Sequence, residues 1–199
     1  EFLGLPKLVF ENCQKEMENA NPNNREQFLD AHMSCIQAEF LDGNMQGVIK
    51  RINAALATSY GQQLSGWSLT FQLLLVNANR HLGDLQASEN AIREVDATIT
   101  MLRRGPAWSE WGSHWTYQSE RARGEHLLTT GKPVAAELSF VRALSAIQER
   151  VDAFERGDYK GSTRRVHSKQ GIHFNKGIVQ ARMANALFAQ RKLSESEYY

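Results

Sequence analysis

RGEHLLTTGKPVAAELSFVRAL, residues 123–144, is the stretch that decides the fold. Gly131 marks a stop, because glycine accepts the left-handed conformation in which helices end. Pro133, two residues on, is preset for the first position of a new helix. Gly124 lies twelve positions before a second small residue, Ala136, and Phe140 and Ala143 follow at helical spacing. Small side chains at those two places let two helix backbones approach closely, and the large ring four positions later fills the gap to the next element. A turn this short forces its two helices antiparallel. The stretch therefore predicts a helical hairpin.

The same period extends outward. Ala136, Phe140, Ala143, Ile147, Val151 and Phe154 form one apolar stripe, and Leu85, Ser88, Ile92, Val95, Ile99 and Leu102 form another. Trp67, Phe71, Leu74, Leu75, Ala78 and Leu82 repeat it, as do Met45, Val48, Ile49, Ile52 and Leu56. Each set falls on one face of a helix. No segment sustains a two-residue alternation, so the chain reads as all-α. Punctuation falls at Asp42-Gly43-Asn44, Gly83-Asp84, Gly105-Pro106, Gly131-Lys132-Pro133 and Gly157-Asp158. Helices are expected near 5–20, 22–41, 44–59, 66–82, 84–104, 106–130, 132–156, 172–190 and from 193 onward.

A content of 42% hydrophobic and 23% charged residues is that of an ordinary soluble globular chain. Three of the four prolines (Pro22, Pro106, Pro133) stand where a helix could begin. No apolar run approaches the roughly 18 residues of a membrane span, so no membrane partner is expected. The net charge of +1 hides an asymmetry: residues 1–100 carry 7 Lys+Arg against 12 Asp+Glu, residues 101–199 carry 16 against 10. Two differently charged binding faces, or two solvated surfaces, would both produce it. With no initiator Met and no signal-peptide pattern, the chain reads as a piece of a larger protein, and the cytoplasm is the expected compartment, the periplasm the alternative. Cys13 and Cys35 have no partners at metal-ligand spacing; two buried free thiols are expected, a disulfide across neighbouring helices being the alternative.

The surroundings of Gly131 recur. Ile36 and Val48 flank Gly43 at the same twelve-residue separation, Val76 and Ser88 flank Gly83, and Ala184 and Ser196 flank Arg191-Lys192. This pattern resembles the tetratricopeptide repeat (TPR) superfamily, whose signature is a small residue, a turn, Ala, then an aromatic four positions on. The match is full at Gly124, Ala136, Phe140 and Ala143, whereas Ile36, Val48, Val76 and Ser88 replace smaller or more typical residues. The turns are 40, 48 and 60 residues apart, against about 34 in the standard repeat, so the helices are long or extra turns intervene. Similar elongated arrays occur in larger bacterial proteins, including those joined to caspase-like (CHAT) peptidases. The resemblance implies one domain over 1–199 of antiparallel helical hairpins stacked as a right-handed α-solenoid, with repeat cores near 23–59, 66–104, 106–156 and 172–199. The final segment, 191–199, reads as a turn plus the start of a second helix, so the chain is expected to end inside a repeat.

In such a stack the first helix of each hairpin lines a concave groove, and the residue after the small one points into it. The resemblance thus implies partner-binding roles for Gln37, Asn77, Glu125 and Asn185, with Arg80 and Arg121 about one helical turn away as carboxylate or phosphate partners. Asn suits the role because its amide both donates to and accepts from an extended backbone. The plain alternative is that these are solvated polar residues. Trp108, Trp111 and Trp115, with Tyr117 nearby, read as core that wedges adjacent hairpins, a binding platform being the sharper alternative. Segment 156–176 is the most basic and least patterned. It reads as a solvated connection, with phosphate contact as its alternative. Catalysis finds no motif: the six histidines are scattered, Ser113-His114 and Ser168 lack a nucleophile elbow, and Glu120 and Glu125 read as solvated helix charges. The expected function is a protein–protein or peptide interaction module, a scaffold or regulatory array, without catalysis, cofactor or metal. Its partner is expected to be a protein, a peptide or another domain of the parent chain. The alternatives are a nucleic-acid-binding helical repeat using the basic half and a peptide-responsive sensor; nucleic acid is not the expected partner.

Overall fold

The computed structural model describes residues 5–21, 24–57, 65–158 and 169–190. Among them are eight helices and no strand: α1 (Leu5–Asn19), α2 (Arg25–Leu41), α3 (Met45–Ala57), α4 (Ser65–Leu82), α5 (Leu85–Leu102), α6 (Trp108–Thr129), α7 (Pro133–Glu155) and α8 (Lys169–Ala189). The chain divides into two compact units, Glu1–Glu94 and Val95–Tyr199, so that α5 gives its first half to one and its second half to the other. The expected turn at Arg191 and the helix from 193 onward lie outside the described residues, as do Pro22 and the middle of the basic segment.

Four helix ends share one backbone pattern, the one at Gly157 (φ 77°) closing through Gly157 N–H to Phe154 O and Asp158 N–H to Ala153 O, and three of them lead directly into a described helix. The N–H of Gly43 donates to Phe40 O and that of Asn44 to Glu39 O; Gly83 and Asp84 donate to Arg80 O and Asn79 O; Gly131 and Lys132 donate to Leu128 O and Leu127 O. These are six-to-one and five-to-two closures around a residue in the left-handed region, with φ of 77°, 79° and 71° at the three glycines. Asn44 and Asp84 then start the next helix: their side-chain oxygens accept from the N–H of Gly47 (3.0 Å) and Ala87 (2.9 Å). Pro133 takes the first helical position instead. Pro106 does not open a helix. It lies within the second of two turns that join α5 to α6, closed by Gly105 N–H to Leu102 O and by Trp108 N–H to Gly105 O.

In the first unit α1 packs on α2, α2 on α3 and α3 on α4. Leu29 and Ile36 of α2, Val48, Ile52 and Ala55 of α3, and Phe71 and Ala78 of α4 form one fully buried core. The twelve-residue register is physical. Ile36, Val48, Val76 and Ser88 are all fully buried, and Ser88 Oγ donates to Val76 O at 3.1 Å, tying α5 to α4. The α2–α3 hairpin carries an ion pair at the same separation, Arg51 Nη2 to Glu39 Oε1 at 2.8 Å.

The second unit is built on α6, α7 and α8, each packed on the other two. Moving back along α6 from Gly124 to Glu120 to His114, the α7 residue opposite advances from Phe140 to Arg142 to Arg150, which makes the pair antiparallel. The α7–α8 pair is antiparallel too: Lys176 donates to Gln148, and Gln190 to Glu137. Tyr117, Ala136, Phe140, Ala143, Ile147, Ile172, Val179, Met183 and Leu187 share its core. Phe140 is fully buried with its ring over Gly124, where an added Cβ would meet Cε1 at 2.5 Å. Burying a Phe side chain contributes about 1.5–3 kcal/mol.

Candidate functional site

The length of α6 brings a dense set of charges onto one helix, and the helical period decides which of them meet. Arg121 and Glu125, four apart, face each other with Nε to Oε1 at 3.9 Å, and Glu120 faces Arg123 at 3.8 Å. From α8, Arg182 Nε reaches Glu125 Oε1 at 3.5 Å; from α7, Arg142 reaches Glu120 at 3.8 Å. Arg123 also pairs with Asp96 on the second half of α5. The separations of 3.5–3.9 Å exceed a good hydrogen bond, so these contacts act as charge attractions and leave donor capacity on the arginines. No hydrogen bond is made by the buried Nε of Arg121.

The reading of Glu120 and Glu125 as solvated charges does not hold. Their side chains are 17% and 11% exposed, screened by the arginines and by the neighbouring helices. Arg121 and Glu125 are thus brought together, and Arg182, which the sequence did not single out, joins them. Asn185 lies about one helical turn beyond Arg182 on α8 and is exposed. The face shared by α6 and α8 accordingly offers Arg121, Glu125 and Arg182 with an amide at its edge.

In the first unit, Asn77 and Arg80 meet on α4, with Arg80 Nη2 donating to Asn77 Oδ1 at 3.4 Å, both side chains half-buried. Gln37 is exposed on α2. Buried polar chemistry in this unit lies elsewhere, on the opposite side of α2. His32 and Glu39 are buried, and His32 Nδ1 and Glu39 Oε2 make no hydrogen bond. Burial, and secondarily the Arg51 guanidinium, hold His32 below the ordinary histidine range. The Glu39 bond pushes Arg51 above its ordinary value.

Trp115 and Tyr117 are buried, Trp108 and Trp111 half-buried. Trp111 stacks on Trp115 with centroids at 6.4 Å, and Trp108 folds back over Gly112, where an added Cβ would meet the indole at 2.6 Å. His114 contacts the Tyr117 ring edge-on at 5.4 Å and meets the guanidinium of Arg150, a residue only 3% exposed. Because Arg only donates, His114 Nδ1 is the acceptor of that pair. The aromatic set is therefore largely packing. Among the described residues no three His, Cys, Asp or Glu are placed to hold a metal ion, and no helix is long and apolar enough to cross a membrane. Comparison with family models, curated proteins and solved structures finds no match to this chain.

Proposed function

We propose that the chain is a protein- or peptide-interaction module, a non-catalytic array of hairpins of the TPR type arranged as a right-handed α-solenoid. The observation that carries this reading is the repeated hairpin itself: one turn pattern and one twelve-residue register recur at Gly43, Gly83 and Gly131. A chain that repeats a packing unit builds an extended surface, and such surfaces bind other chains by shape-matched burial with a few polar anchors. Supporting it, α6 contacts α8 across α7, as first helices of successive hairpins would, and their shared face carries Arg121, Glu125 and Arg182. In this reading Gln37, Asn77, Arg80, Arg121, Glu125 and Asn185 line the binding surface, and the occupant is a peptide or a domain of the parent chain.

The test is selection of peptides from a random display library on the immobilised chain, with each binder re-measured against Asn77→Ala, Arg121→Ala and Asn185→Ala. The expected result is binders whose affinity falls about tenfold or more, roughly 1.4 kcal/mol, in at least two variants that keep the parent helical circular dichroism. Binders insensitive to all three variants would remove these residues from the site, and a library yielding no binder would count against the function itself.

A further inference from the structure

Cys13 on α1 and Cys35 on α2 are both free and each 1% exposed. They share one small apolar cluster with Ala38, under Val9 and Met17. Among the described residues of the first unit, α1 reaches the rest through α2, and this sulfur pair sits in that contact. We propose that Cys13 and Cys35 form a redox-addressable staple, a dithiol that a small-molecule disulfide oxidises to an intramolecular bond fixing α1 on α2.

The exchange balances in two steps. One cysteine, as thiolate, attacks a sulfur of the oxidant, breaking its S–S bond; a mixed disulfide forms and one small thiolate leaves. The second cysteine, as thiolate, then attacks the protein sulfur of that mixed disulfide, forming the Cys13–Cys35 bond and expelling the second small thiolate. The two cysteine protons end on the expelled thiols or in solvent. Two protein thiols are oxidised and one small disulfide is reduced.

The site also sets the rate. Both sulfurs are closed to an oxidant by burial, each residue being 1% exposed, and burial first, then the neighbouring Cys13 thiol, push the Cys35 thiol up to about 12. The first step therefore waits for α1 to lift, and the reaction reports local opening. Once closed, the bond removes that opening and cross-links the unfolded chain over roughly twenty residues, which disfavours unfolding by on the order of a hundredfold.

The experiment treats the folded chain with oxidised glutathione, alone and in sub-denaturing urea, and separately during refolding. Intact mass, peptide mapping without reductant and urea unfolding are then read. The expected product is monomeric, lighter by two hydrogen atoms, with Cys13 and Cys35 in one linked fragment. It should form faster in dilute urea, and its unfolding midpoint should move to higher urea and return with reductant. Stable glutathione adducts, dimers linked between chains, thiols that stay free even after oxidative refolding, or a linked monomer with an unchanged or lower midpoint would each overturn the proposal. Comparing oxidised with reduced wild-type protein requires no variant to fold.

Discussion

Gly124 has a ring where a side chain would be. Replacing it with Ala favours the helix by about 1 kcal/mol, yet the new methyl collides with Phe140, and overpacking a filled core costs about 1–3 kcal/mol. The collision wins because the added Cβ would meet three ring atoms of the fully buried Phe140 at 2.5–2.8 Å. Gly124→Ala should therefore lower stability in urea unfolding, a gain being the contrary result. Phe140→Ala should cost about 3–5 kcal/mol; a change within about 0.5 kcal/mol, typical of surface sites, would place the ring elsewhere. His32 adds a pH term. Its folded value lies below the ordinary 6.5 because burial and Arg51 disfavour the charged ring. The unfolded chain then takes the proton first, so stability present above 6.5 is lost as pH falls from there through the folded value. His32→Gln should flatten the unfolding midpoint over that window, and an unchanged slope would refute the assignment. The Gly124–Phe140 match was legible because size and spacing are local. Buried Arg150 was not: a lone Arg reads as solvated, and its partner His114 lies 36 positions away.

Helix ends were legible at Gly43-Asn44, Gly83-Asp84 and Gly131-Lys132-Pro133, because both the stop and the start are written in neighbouring residues. Asp84 exemplifies this, and Asp84→Ala should cost about 1 kcal/mol by removing the cap on Ala87. At Pro106 the same logic failed: Pro106 sits inside a turn from Gly105 to Trp108, and α6 begins at Trp108 after Ala107, which supplies no side-chain cap. The charges of α6 were misread for a related reason. Sequence spacing shows which residues share a helix but not which neighbour covers them, and α7 and α8 supply Arg142 and Arg182 from distant positions. Ion pairs accordingly differ in value by burial. Arg51→Ala leaves Glu39, its side chain 8% exposed, without its cation; the cost should be about 3 kcal/mol, the low end for breaking a buried pair because Arg51 itself is partly exposed. Arg93→Ala removes an exposed pair to Glu89 and should cost no more than about 0.5 kcal/mol. Equal losses in thermal unfolding would show that burial does not separate the two pairs.

At the scale of the whole molecule, the helical class followed from the stripes, and the hairpins from their turns. The use of the surface did not, since no residue pattern names a partner. What joins fold to proposed function is that the register recurs at Gly43, Gly83 and Gly131; in the proposed reading α2, α4, α6 and α8 are the first helices of successive hairpins. Hydrogen–deuterium exchange with and without a peptide selected on the immobilised chain tests that link most directly. The interaction-module account predicts that bound peptide slows exchange in α4, α6 and α8, around Asn77, Arg121 and Asn185, while α3 and the exposed side of α7 at Val134, Leu138 and Val141 stay unchanged. Protection confined to α3, α5 and α7, with the first helices unaltered, would contradict it.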